Sequence, residues 1–258
     1  MDPGQVLAVL GAGLGAGFVM SAVGAGSLVS FPILIGTGLS PLVANVCNNV
    51  GMVAGGLSAS FGYRRELAGH RPLVVRVALT SAAGALLGAV LLLEMSSGTF
   101  DVVVPFLVLT SATLVGVQPL VARWLQRRTA RSTTGPVAYR ERMGPGLTAL
   151  SAGIGVYGGY FGAAQGVLLV AVLGLGLDVP LQAVNGLKNI AVLSANVAAS
   201  VVFVLLAPLD WQVVGLVAVG SVVGGWAGAH LGRRMPPVVF RSLVVLVGWG
   251  VGLRLLLT

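Results

Sequence analysis

Residues 158–189 read GGYFGAAQGVLLVAVLGLGLDVPLQAVNGLKN, and residues 18–49 read FVMSAVGAGSLVSFPILIGTGLSPLVANVCNN. Both run from a glycine-broken turn through a short apolar stretch to a helix start and then an asparagine-bearing helix. The offset between them is 140, and it holds without a gap from 4–118 onto 144–258. Gly13, Gly15, Gly26, Gly36, Asn45, Asn49 and Ser60 fall on Gly153, Gly155, Gly166, Gly176, Asn185, Asn189 and Ser200; Ser81, Gly84, Gly88 and Phe100 fall on Ser221, Gly224, Gly228 and Phe240. An internal repeat in a very apolar chain is the sequence signature of a carrier built from two halves.

The composition requires a membrane. Apolar residues make up 56% of the 258 positions and charged ones 9%, where a soluble domain carries about a quarter charged residues. Uncharged runs such as 4–63, 77–93, 102–122 and 189–209 reach or approach the ~20 residues a membrane helix needs, and 4–63 must fold back at least once. The 39 glycines favour close helix contact, as at Gly84-x-x-x-Gly88 and Gly224-x-x-x-Gly228. The amino-terminal Met1-Asp-Pro-Gly-Gln lacks the basic region of a signal peptide, so the first segment is expected to stay as a membrane helix. A single cysteine, Cys47, excludes an internal disulfide and a multi-cysteine metal site. The net charge of +8 reads as arginines gathered in cytoplasmic loops, not as a nucleic-acid surface.

Those arginines orient the halves. Arg64, Arg65, Arg71 and Arg76 surround one loop, and Arg123, Arg127, Arg128, Arg131, Arg140 and Arg142 fill the middle of the chain, while the turn Glu94–Asp101 between them is acidic. In the second half Pro208-Leu-Asp210 carries no basic residue, whereas Arg233, Arg234 and Arg241 surround the next turn. The positive-inside rule puts 64–71 inside and its repeat partner 204–211 outside, and the reverse for 94–101 and 234–241. The expected fold is therefore an all-α polytopic membrane protein of two inverted-topology repeats, 1–122 and 144–258, joined by a basic cytoplasmic linker, 123–143. Each repeat holds about five hydrophobic segments: 4–23, 24–39, 41–63, 72–93 and 101–122, then 144–162, 164–177, 180–206, 211–231 and 238–257. Segments 24–39 and 164–177 are short; each either spans or pairs with the next helix as a re-entrant hairpin.

Short segments interrupted by Gly or Pro at matching places in inverted halves point to the transport site. Here they are Gly24-Ala-Gly-Ser-Leu with Phe31-Pro32, and Gly158-Gly-Tyr-Phe-Gly162 with Gln165-Gly166. Glycine bends leave backbone N–H groups uncovered for an anion at a helix start, or serve only close packing. Ser40-Pro41 and the looser Asp178-Val-Pro180 signal the starts of the following helices. At 3.6 residues per turn Asn45, Asn48 and Asn49 share a face, as do Asn185, Lys188 and Asn189. Amides and an ammonium are costly in lipid, so both faces should turn to the interior.

Lys188 is the only lysine, and its repeat partner is Asn48; Gln165 stands where the first half has Ala25. These two mismatches add polarity to one half. A lone cation beside amides suits an anion; the alternative is a lysine that snorkels to the headgroups or pairs with Asp178. The candidate substrate contacts are Lys188, Asn45, Asn48, Asn49, Asn185, Asn189, Gln165, Gly26, Gly166 and Tyr160, with Tyr157 nearby. All seven carboxylates, Asp2, Glu66, Glu94, Asp101, Glu141, Asp178 and Asp210, fall at or near segment ends. None sits mid-membrane, where proton- and sodium-coupled carriers often place one. No cofactor and no catalytic group is expected.

At these residues the chain resembles the TauE/SafE family of sulfite and sulfonate exporters. The resemblance covers nearly the whole length and rests on the doubled glycine-rich segment, Val43-Ala-Asn45 with Ala183-Val-Asn185, the basic linker, and Leu209-Asp-Trp211. It implies export of sulfite or small organosulfonates, such as sulfoacetate-like anions, across a bacterial cytoplasmic membrane. The implied partners are the anion and the lipid bilayer, with a homodimer compatible with both. Two other classes stay open: a channel-like anion or small-solute permease, and a sulfur-transfer protein using Cys47.

Overall fold

The computed structural model describes residues 1–95, 97–131, 142–231 and 237–257. Among the described residues there are ten helices and no strand: α1 (Pro3–Ala22), α2 (Ser27–Gly36), α3 (Pro41–Gly62), α4 (Arg71–Glu94), α5 (Ser97–Arg131), α6 (Pro145–Tyr160), α7 (Gln165–Gly176), α8 (Leu181–Leu206), α9 (Trp211–Leu231) and α10 (Pro237–Leu257). Six of them, α1, α3, α4, α5, α8 and α9, contain a stretch long and apolar enough to cross a membrane. Leu57, Phe61, Leu79, Val102, Phe106, Val201 and Leu205 are exposed on those helices. In water such a surface would drive aggregation; in a bilayer it is the lipid face. Helix α5 runs on to Arg131, through 123–131 of the stretch expected as linker, and 132–141 lie outside the described residues.

The short segments double back on the helix before them while also packing on the one after. Gln5 near the start of α1 donates from Nε2 to the carbonyl of Thr37 just beyond α2, at 3.3 Å. Gly26 at the head of α2 packs directly on Ala16 and Met20 of α1. Helices α1 and α2 thus form a hairpin that opens at one end, and α6 with α7 forms its counterpart, Gly176 closing on Leu147. The reason is local. The chain turns through Gly24 at φ +90, and in the second half through Gly162 at φ +75 and Ala164 at φ +60. Ala164 is the repeat partner of Gly24, so the bend recurs at the same position with an L residue in the left-handed region, a conformation that costs of order 1–3 kcal/mol.

Helix starts follow the sequence only in part. Ser40 caps α3 through Oγ to the Val43 N–H at 3.5 Å, with Pro41 at the first position. In the second half the cap position of α8 is Pro180, and no side chain caps it; Asp178 stands too far upstream to fill that place.

Helices from opposite halves pack on each other. Gly84 and Gly88 of α4 face the backbone of α6 at Ala152, Val156 and Tyr160. Their repeat partners Gly224 and Gly228 of α9 face the backbone of α1 at Leu14 and Phe18. Any side chain at these glycines would drive into a carbonyl, which is why the small-xxx-small spacing appears twice. Equivalent helices run antiparallel: Asn49 of α3 meets Asn196 and Ser200 of α8, while Gly56 meets Leu193. Along α5 and α10, Ala112 meets Gly248 and Leu109 meets Gly252. The two halves are inverted copies, interleaved rather than set side by side.

Candidate functional site

Because the hairpins come in from opposite ends, their tips meet in the middle. The Gly166 N–H donates to the Gly24 carbonyl at 3.1 Å. A Cβ on Gly166 would lie 2.6 Å from Gly24 Cα and 3.1 Å from Cδ of Lys188. The lysine stem is therefore pressed against the crossing of the two tips. Lys188 is fully buried. Its Nζ donates to the carbonyls of Met20 (3.2 Å) and Ser21 (2.9 Å) in the last turn of α1. Those carbonyls have no helical partner and form the negative end of the helix dipole. The lysine neither snorkels nor pairs with Asp178.

The other candidates fall into three groups. Gln165 and Asn189 are 1% and 2% exposed, and neither the oxygen nor the nitrogen of either amide has a hydrogen-bond partner. Asn45, Asn48 and Asn49 are as deeply buried but engaged. Asn45 Nδ2 donates to the Tyr160 carbonyl at 3.0 Å. Asn48 accepts from Ser30 Oγ and donates from Nδ2 to Ser27 Oγ (3.0 Å). Asn49 donates to Asn196 Oδ1 (3.5 Å) and accepts from Ser200 Oγ (3.3 Å). The third group stands aside: Asn185 is half-buried, and the Tyr160 side chain turns away, its hydroxyl on Met95 Sδ at 3.2 Å and its ring 5.9 Å from that of Phe100. Gly26 is a packing contact with α1, and Gly166 is the crossing point itself.

Of the N–H groups expected to be free at the short-helix starts, some are engaged. Leu28, Val29 and Ser30 bond back to Ala25 and Gly26, and Gln165, Gly166, Val167 and Leu168 bond to Gly162, Gly24 and Ala164. Tight turns and the tip-to-tip bond occupy these donors, while the N–H groups of Ala25, Gly26, Ser27, Ala163 and Ala164 make no backbone hydrogen bond at the tips among the described residues. Tyr157 is also structural: its hydroxyl and Ser111 Oγ both donate to the Ala163 carbonyl at the second tip. Cys47 takes the Asp210 N–H on its sulfur at 3.2 Å and is buried. Among the described residues no cluster of metal-ligating side chains occurs.

Sequence reasoning did not single out Ser27 and Ser30, which hold Asn48, or the Met20 and Ser21 carbonyls. The serines carry a signal in retrospect: Ser27 and Ser30 correspond to Val167 and Val170, so the first half adds hydroxyls opposite its own asparagine.

Inverted, interleaved halves with broken hairpins crossing at a buried cation define a multi-pass membrane transporter. A family model described as Sulfite exporter TauE/SafE matches residues 9–255, and the chain belongs to that family. It is similar to a probable membrane transporter protein, ORF9, of Sinorhizobium sp, 28% identical over 93% of this chain and 88% of the relative. A probable membrane transporter protein of Haemophilus influenzae is 26% identical over 96% of this chain and 94% of its own length. The probable membrane transporter protein YfcA of Escherichia coli is 25% identical over 93% and 86%. No solved structure matches the chain.

Proposed function

We propose that the protein exports small sulfur oxyanions, sulfite or C2 organosulfonates such as sulfoacetate, across the bacterial cytoplasmic membrane. It does so by alternating access around a site between its two halves. The observation that carries this reading is the burial of Lys188 at the hairpin crossing, with two unbonded buried amides at neighbouring chain positions: Asn189 beside Lys188 and Gln165 beside the crossing Gly166. A buried ammonium held only by two carbonyls lacks a counter-charge, and removing such a charge from water costs several kcal/mol. Each unbonded amide costs a further ~1–3 kcal/mol. A small oxyanion answers both needs, giving charge to the ammonium and acceptors to the amide NH₂ groups. The family description points to the same chemistry.

The two carbonyl bonds of Lys188 also favour a structural role as the cap of α1. Binding and stability separate these roles. Purified protein is titrated with sulfite, sulfate, thiosulfate and C2 sulfonates by thermal shift and calorimetry. Lys188→Gln keeps a donor for the α1 carbonyls but loses the charge, and affinity is expected to fall at least tenfold. Wild-type affinity in that variant would overturn the proposal. Saturable counterflow in proteoliposomes distinguishes a carrier from a channel-like pore.

A further inference from the structure

Lys188 reaches the α1 tip directly, and a second cation is linked to it through a glutamine. Gln118 of α5 donates from Nε2 to the carbonyl of Val23, the residue just past α1, at 3.4 Å. Arg241 of α10 donates from Nη2 to Gln118 Oε1 at 3.3 Å. The Arg241 Nε is buried with no hydrogen-bond partner. The segments around this pair, 102–140 and 232–258, contain no Asp or Glu at all. A part-buried guanidinium with an unused donor and no carboxylate in the chain segments that hold it and Gln118 suits an anion.

The position gives the direction. Arg241 lies in a segment that the charge pattern puts on the cytoplasmic side, as it does Arg64, Arg65, Arg71 and Arg76. Its repeat partner on the opposite face is Asp101, which is exposed. Two otherwise equivalent approaches therefore carry opposite charges, one attracting an anion and the other repelling it.

We infer that Arg241, with Gln118, is a cytoplasm-side capture site for the same class of small oxyanion. It is linked through Gln118 to the α1 tip that Lys188 reaches, so that movement of the tip passes the anion from one cation to the other. This rests on the proposed function of Lys188. A lipid phosphate shares the chemistry, so the test must separate the two sources.

Inverted membrane vesicles expose the cytoplasmic face, and right-side-out vesicles the other. Arg241→Gln is expected to raise the half-saturating sulfite concentration at least fivefold in inverted vesicles, with the maximal rate within twofold. Arg241→Lys should recover most of the loss, and right-side-out vesicles should show no change beyond twofold. Unchanged half-saturation in inverted vesicles, or an equal change at both faces, would overturn the inference while leaving Lys188 untouched. In detergent free of phospholipid, Lys188→Gln protein should retain weak sulfite binding that disappears in the Lys188→Gln/Arg241→Gln double variant. If the single variant instead binds added phosphatidylglycerol but no sulfite, Arg241 belongs to a lipid and the inference fails. Wild-type affinity in Lys188→Gln would sink the underlying proposal, a separate result.

Discussion

Asn45 donates to the carbonyl of Tyr160 across the two halves, and Tyr160 is the repeat counterpart of Met20, whose carbonyl takes the Lys188 ammonium. The asparagine-bearing helix of each half thus closes the end of the other half's broken first helix. A neutral amide performs this on one side and a charge on the other. The pseudo-symmetric device is a cap built from different positions in the two halves, Asn45 (repeat partner Asn185) in one and Lys188 (repeat partner Asn48) in the other.

Asn45 should therefore matter for folding more than for binding. Asn45→Leu strands the Tyr160 carbonyl, and an unbonded buried acceptor costs ~1–3 kcal/mol. Thermal melting should report that loss, while sulfite affinity measured by calorimetry should change less than threefold.

Asn48 makes a related case. Ser27 and Ser30 hold both ends of its amide, so it is not free to contact a substrate without breaking those bonds. Asn48→Ala should lower stability by about 1–2 kcal/mol and shift anion affinity less than threefold, far less than Lys188→Gln. A tenfold loss of affinity with unchanged melting would return Asn48 to the binding site.

Much of this architecture was legible in the residues. The offset of 140 and the arginine distribution gave two inverted halves, and the Gly84 and Gly224 spacings marked helix contacts that the structure places between α4 and α6 and between α9 and α1. What could not be read was that each short segment packs on both the helix before it and the helix after it, because a glycine bend permits a turn without choosing its partner. The burial of Asn45, Asn48, Asn49, Gln165, Lys188 and Asn189 was legible, since polar groups in an apolar helix must face inward. Their division into bonded and unbonded was not. Ser27, Ser30 and Asn196 lie in other helices or turns away, and only the fold brings hydroxyls to Asn48 and Asn49 while leaving Gln165 and Asn189 without them.

Gln165 should show opposite effects on stability and function. Its amide is buried with neither atom bonded, so the protein bears the desolvation cost without a return. Gln165→Leu preserves approximate volume and removes that cost. The variant is expected to melt higher while binding sulfite at least fivefold more weakly. A fall in melting temperature with intact affinity would contradict the assignment.

The crossing of the tips leaves no room at Gly24. A Cβ there would lie 2.8 Å from Gly166 Cα and 3.2 Å from Lys188 Cδ, at a φ of +90 that L residues rarely adopt. Gly24→Ala should destabilise by more than ~2 kcal/mol, strain and overlap adding. Gly153→Ala is the control: nothing lies within 4 Å of its Cβ, and alanine improves a helix interior by about 1 kcal/mol. Melting temperatures moving in opposite directions would distinguish a built crossing from general glycine tolerance.

Export of an anion needs no coupling ion if the membrane potential supplies the work. Apart from Glu141, which lies outside the described residues, every carboxylate of the chain lies in a loop or within two turns of a helix end. An inside-negative potential of 100 mV favours exit by ~2.3 kcal/mol per charge, which corresponds to a roughly fortyfold outward ratio for a monoanion at equilibrium. In proteoliposomes with a potassium diffusion potential, the final ratio should rise with the imposed potential and fall to unity when valinomycin and equal potassium clamp it at zero. A pH gradient at zero potential should drive no accumulation. If the ratio followed the pH gradient and ignored the potential, the carrier would be moving a proton with its anion, and a proton-binding group would have to be sought near the tips.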